Sequence, residues 1–248
     1  MSPHAASETR ARGRGSRPAA GQPRPRDTAP KPAITGEGEG TPGSVTTLAA
    51  LPRAFYLRPV CEVARDLLGA RLVRVLRGGR VIIGRIVEVE AYDGSEDLAC
   101  HAARGRTRRT DPMFGARGHA YVYFIYGMHH CLNVVAGPAD HPAAVLIRAA
   151  EPLEGVEWMD AGRSPRRLIA SGPGRLTRAF HVDLSLNRHD LCSAEALFIA
   201  GGERIPRRLI ASGPRIGVEY AGRWAAKPWR YGVRAHPALS KPFPIRMV

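Results

Sequence analysis

The stretch Tyr121-Val-Tyr-Phe-Ile-Tyr-Gly-Met-His-His-Cys-Leu-Asn133 predicts a β-hairpin that turns near Gly127. Three of the chain's seven tyrosines fall within the six residues 121–126, although only 6% of the residues are aromatic and the formal net charge is +15. Aromatic rings stack on nucleic-acid bases and cations contact phosphates, so this combination indicates a protein that touches bases. Aromatic residues also favour strands in general, and a plain amphipathic hairpin with core tyrosines is the alternative.

The segments around this hairpin indicate one α+β domain with a mainly antiparallel sheet, because most predicted strands are joined by hairpins. Further strands are predicted at 71–76, 81–92, 143–150, 196–200 and 215–218. A helix is predicted over 58–68, with Pro59 near its first turn and Gly69 at its end. Other helices are predicted near 153–159 and after Ser171-Gly-Pro173.

Residues 1–48 are predicted to form a disordered basic tail rich in Pro, Gly, Ala and Arg. This stretch has no aromatic residue and no periodic apolar pattern, so it cannot bury enough surface to offset its ordering entropy. Residues 49–248 are predicted to form the folded domain, which carries most of the positive charge. No apolar stretch is long enough to span a membrane.

Cysteine and lysine usage limits the possible chemistry. The four cysteines are widely spaced and have no partners at metal-ligand spacing, so we expect no metal site. No cofactor is expected either. Only three of the 37 basic residues are lysines, Lys31, Lys227 and Lys241. The basic surface is therefore an arginine surface, which suits bidentate contacts with phosphate.

Charged residues interrupt two apolar strands. In Ile86-Val-Glu-Val-Glu-Ala-Tyr92, strand alternation places Glu88, Glu90 and Tyr92 on one face. Arg148 lies in the apolar run 143–150, where a buried arginine needs a carboxylate partner. Glu90 or Glu88 is the expected partner. Such a carboxylate can act as a general base towards water, and a purely structural salt bridge is the alternative.

Two further arginine-rich segments are candidates for contact with DNA phosphates. Residues 104–109, just after His101, contain four arginines, and a merely solvated basic loop is the alternative. The nonapeptide Pro-Arg-Arg-Leu-Ile-Ala-Ser-Gly-Pro occurs at 165–173 and again at 206–214, followed by Arg175 or Arg215. Ser-Gly-Pro can cap a helix and present backbone N–H groups to a phosphate, whereas a duplicated turn without function is the alternative.

Taken in order, these motifs resemble the alkyladenine (3-methyladenine) DNA glycosylase family. They are Gly84-Arg-Ile-Val-Glu-Val-Glu-Ala-Tyr92, His101, Met113-Phe114, Tyr121-Val-Tyr-Phe-Ile-Tyr-Gly-Met128, Asn133 and Leu146-Ile-Arg-Ala-Ala-Glu-Pro-Leu-Glu-Gly155. The resemblance covers about residues 51–233. It implies a base-excision-repair enzyme that flips alkylated or deaminated purines out of duplex DNA, hydrolyses the N-glycosidic bond and leaves an abasic site.

The resemblance also implies a role for each matching residue. Glu90 corresponds to the carboxylate that activates the attacking water, and Arg148 to the arginine beside that water. Tyr92 corresponds to the aromatic residue on one face of the flipped base, and His101 and Tyr123 to the pair on the other face. These five residues would form the catalytic and stacking centre.

The remaining implied roles concern selectivity and DNA binding. Asn133 corresponds to the pocket residue that disfavours a purine with a 2-amino group. Tyr126 corresponds to the residue that enters the minor groove and fills the vacated space, and a backbone carbonyl near Ile216 would help to hold the water. Tyr121 is left as a packing residue. The expected DNA-backbone contacts are Arg106, Arg109, Met128, Arg175 and Arg215.

Pattern and resemblance together predict a single compact α+β domain with a curved, mainly antiparallel sheet, a protruding β-hairpin and flanking helices. The expected partner is double-stranded DNA that contains damaged purines. A monomer without membrane attachment is expected, located in the cytoplasm, with the nucleoid in a bacterium, or in the nucleus of a eukaryote.

The position of the lysines predicts a monofunctional enzyme without AP lyase activity. Lyase chemistry needs an amine for a Schiff base, and Lys31, Lys227 and Lys241 all lie outside the motif cluster. Two alternatives from other classes stay open: a non-catalytic damaged-DNA or minor-groove binding protein, and a basic RNA-associated protein suggested by composition alone.

Overall fold

The computed structural model of the chain describes residues 48–159 and 164–243, which form one eight-stranded sheet with three short α-helices. The strands are β1 (Arg71–Val75), β2 (Val81–Asp93), β3 (Ala120–Ile125), β4 (His129–Ala136), β5 (Ala143–Glu154), β6 (Leu197–Ala200), β7 (Ile210–Gly213) and β8 (Arg230–Val233). The helices are α1 (Arg53–Tyr56), α2 (Val60–Asp66) and α3 (Pro173–Ala179). The predicted tail lies outside the described residues except for Leu48. Within this part of the chain, no helix is long and apolar enough to cross a bilayer.

Strand β2 is the centre of the sheet, whose order is β3-β4-β5-β2-β1-β6 with all neighbours antiparallel. One edge of β2 pairs with β5 along most of its length. The other edge pairs first with β1 and then, from Glu88 to Glu90, with β8, which also carries β7. Register shifts near Glu88 add to this change of partner, and the sheet curls. The predicted α+β domain with a curved antiparallel sheet is confirmed.

Helix α2 packs on β2 and β5 through Val60, Val63 and Ala64, which are buried as the predicted helical pattern requires. The helix ends at Asp66, earlier than predicted. Gly69 follows with a φ of 87°, and a Cβ there would lie 1.9 Å from the Glu203 carbonyl oxygen. Only glycine therefore lets the chain pass from α2 into β1.

Strands β3 and β4 form the predicted protruding hairpin. Ile125 pairs with His129, so the turn contains three residues, and Tyr126 and Gly127 have φ values of 54° and 67°. A residue other than glycine adopts this left-handed conformation at a cost in free energy. The tight turn imposes it on Tyr126 and directs the side chain to the surface. The root of the hairpin is buried in the sheet, whereas Tyr126 is 80% exposed.

Two predicted elements are wrong, and both fail because tertiary pairing overrides local pattern. Strand β5 continues to Glu154, which leaves only a 3₁₀ turn at Val156–Trp158 where a helix was predicted. Residues 215–218 are irregular, because the neighbouring β7 pairs with β8 instead. The predicted helix after Ser171-Gly-Pro173 and the strand near 196–200 are confirmed as α3 and β6.

The two copies of the nonapeptide have different structures. Both contain a 3₁₀ turn at Arg-Arg-Leu, but the next residue is helical in the first copy, Ile169, and extended in the second, Ile210. The first copy leads into α3, where Gly172 is the N-cap with a φ of 115°. The second copy forms β7. The first copy makes only an isolated bridge, from Ser171 to Ala149 of β5, before the helix starts, whereas the second copy pairs with β8 over four residues.

Arg215 was predicted to contact DNA phosphates, and the structure contradicts this. Its side chain is fully buried, and Nη2 donates to Asp97 Oδ1 at 2.8 Å and to the Trp224 carbonyl at 3.1 Å. The guanidinium also lies 4.8 Å from the centroid of the Tyr92 ring. A buried arginine needs a carboxylate, and Asp97 satisfies it here. Arg215 therefore supports Tyr92 from inside the protein.

Asp97→Asn is expected to lower the free energy of unfolding by about 3–5 kcal/mol, because it leaves the buried Arg215 charge uncompensated. Urea unfolding measures this change. The matched control is Asp66→Asn, which breaks an exposed pair with Arg58 and should cost at most about 1 kcal/mol. Equal effects of the two substitutions would contradict the structural role assigned to Arg215.

Candidate functional site

A cavity of about 360 Å³ lies between the β3–β4 hairpin, the end of β2 and the segment after β7. The lining residues come from elements that lie far apart in the sequence. Seven of the predicted site residues line the cavity: Tyr92, His101, Tyr123, Tyr126, Asn133, Arg148 and Ile216.

The Glu90 carboxylate is fully buried directly behind the cavity lining. The Tyr92 hydroxyl donates to Glu90 Oε2 at 2.8 Å, and the Ile216 backbone N–H donates to Oε1 at 2.8 Å. Arg148 Nη1 donates to Oε2 at 3.2 Å. All three donors belong to residues that line the cavity and form its floor, and the Glu90 carboxylate, which is not itself among the lining residues, lies directly behind that floor. The predicted contact of the Ile216 carbonyl with water stays a prediction.

Arg148 contacts both glutamates that the sequence offered as partners. Its Nε donates to Glu88 Oε1 at 3.1 Å, and its side chain is only 8% exposed. Burial lowers the pKa of Arg148, but the charges of Glu90 and Glu88 outweigh this and raise the pKa above its ordinary value. Burial and the Glu90 charge likewise raise the pKa of Tyr92, which stays protonated and can donate to Glu90. The floor therefore combines a permanent cation with a phenol donor.

One wall of the cavity is a cluster of three rings. His101 and Tyr123 meet edge to face with their centroids 4.7 Å apart, and Tyr121 and Tyr123 are 5.3 Å apart. The Tyr121 hydroxyl lies 2.8 Å from His101 Nδ1. Neighbouring aromatic rings favour such edge contacts, and the cluster presents a rigid apolar surface to the cavity.

His101 is a neutral group at pH 7. Burial lowers its pKa to about 4, and the charges of Arg109 and Arg104 act in the same direction. The imidazole can therefore offer a face or a hydrogen bond to a ligand, but its charged form is scarce at neutral pH.

Asn133 is fixed at the base of the hairpin. It is buried, and its Nδ2 donates to the Tyr121 carbonyl at 3.0 Å. This bond orients the amide against the cavity lining. Its predicted role against 2-amino purines stays a prediction.

The predicted DNA-backbone residues other than Arg215 lie on the surface. Met128 is 70% exposed beside the hairpin tip, and Arg175 is exposed on α3, whose first residues line the cavity mouth. Arg106 is 63% exposed and its Nε donates to Asp111 at 2.5 Å, while the Arg109 guanidinium lies 5.0 Å from the Tyr123 centroid. Their contacts with phosphate stay predictions.

No group of three or more His, Cys, Asp or Glu side chains suited to a metal ion occurs among residues 48–159 and 164–243.

A family model described as methylpurine-DNA glycosylase matches residues 54–237. The chain belongs to the methylpurine-DNA glycosylase family. A relative from Methanocella arvoryzae is 51% identical over 200 residues, 79% of this chain and 98% of the relative. A relative from Myxococcus xanthus is 51% identical over 77% of this chain and 93% of its own length, and one from Streptomyces avermitilis is 45% identical over 77% and 90%. All three are named "putative 3-methyladenine DNA glycosylase".

Membership of this glycosylase family confirms the resemblance inferred from the motifs. It makes the chain a DNA glycosylase by family, with DNA as the substrate and repair of damaged DNA as the process.

Two of the lining residues that sequence reasoning left out of the site are tyrosines, Tyr121 and Tyr220. Tyr121 was left to packing, yet it lines the cavity and holds His101. Its spacing of two from Tyr123 on a strand was the available signal, because such residues share a face. Tyr220 also lines the cavity and is 67% exposed, but its irregular segment has no periodicity from which its position follows.

The lowered pKa of His101 predicts a pH-dependent stability. Between about pH 6.5 and pH 4 the unfolded chain binds a proton at this residue that the folded chain does not, so stability falls as pH falls through that range. His101→Gln should therefore lose less melting temperature than the wild type between pH 7 and pH 4. The control is His181→Gln, an exposed histidine outside the cavity. If the melting temperatures of the wild type and His101→Gln fall by the same amount between pH 7 and pH 4, the lowered pKa of His101 is wrong.

Proposed function

We propose that this glycosylase flips alkylated or deaminated purines, of the 3-methyladenine, 7-methylguanine or hypoxanthine type, out of duplex DNA and hydrolyses the N-glycosidic bond. The observation that carries the proposal is the Glu90 carboxylate, held by Tyr92, Arg148 and Ile216 at the floor of an aromatic cavity. The names of the relatives point to 3-methyladenine. We also propose that the enzyme acts as a monomer.

Base recognition would rest on stacking. Opening a base pair costs a few kcal/mol, and least where the base is damaged or mismatched. Stacking on aromatic side chains contributes about 1–3 kcal/mol per base, and Tyr92, Tyr123 and His101 provide the rings here. A purine that carries a positive charge gains further from the electron-rich faces of the tyrosines.

The proposed reaction is a displacement at the sugar carbon. Water loses a proton to Glu90 and its oxygen bonds to C1′, while the C1′–N bond breaks and its electron pair leaves with the purine. A cationic alkylated purine leaves as a neutral base and needs no added proton. A neutral purine such as hypoxanthine does need one, and His101, with its pKa near 4, is a poor donor at pH 7. The site is therefore best suited to alkylated purines.

The hairpin tip would keep the duplex open. Tyr126 is 80% exposed, lines the edge of the cavity and is held in a left-handed turn. Inserting its ring into the gap left by the flipped nucleotide restores stacking with the neighbouring bases.

The positions of the lysines support a monofunctional enzyme. Lys227 lies beside Trp224 and Trp229, and neither Lys227 nor Lys241 is among the residues that line the cavity. Lys31 lies outside the described residues. A Schiff base with the abasic sugar requires an amine at the reacting carbon.

Glu90→Gln should abolish base release and leave lesion binding intact, because glutamine keeps the shape but cannot accept the proton. Release of free base from 3-methyladenine, 7-methylguanine and hypoxanthine duplexes is measured under single-turnover conditions, and the dissociation constant by fluorescence anisotropy. The matched control is Glu62→Gln, a helix α2 residue outside the cavity. Release by Glu90→Gln at the wild-type rate would show the mechanism to be wrong, and no release by the wild type would favour a non-catalytic binding protein.

The same reaction distinguishes glycosylase from lyase. A monofunctional enzyme leaves an intact abasic strand that breaks only after alkali, whereas a lyase yields the broken strand directly.

Tyr126→Ala should weaken binding to a lesion duplex by about 1–3 kcal/mol, the value of one stacked ring, without lowering the melting temperature. The control is Leu209→Ala, which removes another exposed apolar side chain, 42% exposed and outside the cavity. If Tyr126→Ala weakens folding as much as binding, the residue is a packing residue and does not intercalate.

A further inference from the structure

A second fully buried carboxylate, Glu88, lies two residues before Glu90 and is held by donors from three separate segments. Arg148 Nε on β5 donates to it at 3.1 Å, and Arg230 Nη1 on β8 at 3.2 Å. Ser240 donates twice, through its backbone N–H at 2.6 Å and its hydroxyl at 2.8 Å. Glu88, Arg230 and Ser240 are not among the residues that line the cavity, and neither is Glu90 itself, so the two carboxylates differ in their partners and not in their exposure.

The hydrogen-bond partners separate the two glutamates. Within residues 48–159 and 164–243, the hydrogen bonds to the Glu90 carboxylate all come from cavity-lining residues, whereas Glu88 accepts from Arg230 and Ser240. Arg148 is the group that touches both. Its Nε contacts Glu88, its Nη1 contacts Glu90, and its Nη2 donates to the Ser240 hydroxyl at 3.3 Å. Because a guanidinium is planar, the contacts of Nε and Nη2 fix the direction in which Nη1 points.

We infer that Glu88, supported by Ser240, is a positioning residue that orients Arg148 against the Glu90 carboxylate. The inference rests on the proposed catalytic role of Glu90. Loss of Glu88 would remove the acceptor of Nε and leave Arg148 facing the like charge of Arg230, so Arg148 would turn further towards Glu90 and move that carboxylate relative to the scissile bond. Small displacements of this kind reduce rate strongly even when substrate still binds.

Electrostatic balance supports the same assignment. Glu88 and Glu90 offset the two buried cations Arg148 and Arg230. Burial lowers the pKa of Arg230, and the Glu88 charge opposes that effect. Without Glu88, both arginines would depend on Glu90 alone, and the catalytic carboxylate would be drawn into the structural cluster. Buried ion pairs contribute little net stability, so stability alone does not explain why Arg148 contacts both glutamates while Arg230 contacts Glu88.

The test uses three single substitutions in the full chain. Glu88→Gln should lower the single-turnover rate of base release on the order of 100-fold, while the dissociation constant for the lesion duplex stays within about twofold. Ser240→Ala removes the hydroxyl bonds to Glu88 and Arg148 and should lower the rate about fivefold. The matched control is Ser193→Ala, which loses a hydroxyl bond to the Asp190 carbonyl at 2.8 Å and lies outside the cavity and the Glu88 cluster. Its rate should equal that of the wild type.

A double-mutant cycle then asks whether Glu88 acts through Arg148. In an Arg148→Gln background, Glu88→Gln should cause no further loss, since the group it positions is gone. Fully additive losses, a wild-type rate for Glu88→Gln, or equal losses for Ser240→Ala and Ser193→Ala would overturn the inference. If Glu88→Gln does not fold, as shown by its melting curve, the two serine variants decide. Failure of the wild type to release base in a Glu90-dependent way would instead overturn the proposed function.

Discussion

Burying the guanidinium of Arg148 in the middle of a sheet constrains the structure around it. Removing a charge from water costs several kcal/mol, so the site must supply carboxylates at hydrogen-bond distance. Strand β2 supplies Glu88 and Glu90 on one face, two residues apart, and β5 pairs with β2 along that region. The second carboxylate then needs donors of its own, which come from Arg230 on β8 and from Ser240. One buried cation thus links the centre of the sheet, the floor of the cavity and the position of Ser240.

The hairpin beside this centre has two environments along one pair of strands. At its root, buried Tyr121 orders His101 and borders the cavity, and Asn133 is tied to the Tyr121 backbone. At its tip, Tyr126 is exposed on a left-handed turn. Rigidity at the root gives the cavity a fixed shape, and exposure at the tip leaves an aromatic ring free for contact outside the protein. Both properties come from strand pairing that is continuous from root to tip.

The structure could be predicted from the sequence wherever a short-range rule allowed only one local arrangement. Alternation placed Glu88 and Glu90 on one face, and a charge inside an apolar strand demanded an acidic partner, so the Arg148 cluster was predictable. Arg215 was not, because its partner Asp97 is 118 residues away and nothing in the local pattern distinguishes a buried arginine from a surface one. The nonapeptide shows the same limit, since identical residues form a helix start in one place and a strand in another. Partners far along the chain decided those outcomes.

The charges beneath the cavity differ from those of the whole protein. The chain carries a formal net charge of +15, which attracts a polyanion over long distances. The six buried ionised groups near the floor form three pairs of opposite sign: Glu88, Glu90, Asp97, Arg148, Arg215 and Arg230. Their charges cancel, and the neighbouring His101 is neutral at pH 7. A cationic purine would therefore enter without the repulsion that an unbalanced arginine cluster would exert in a low-dielectric site. In the proposed function, surface charge serves binding of the DNA backbone, while the cavity distinguishes bases by ring contact and shape.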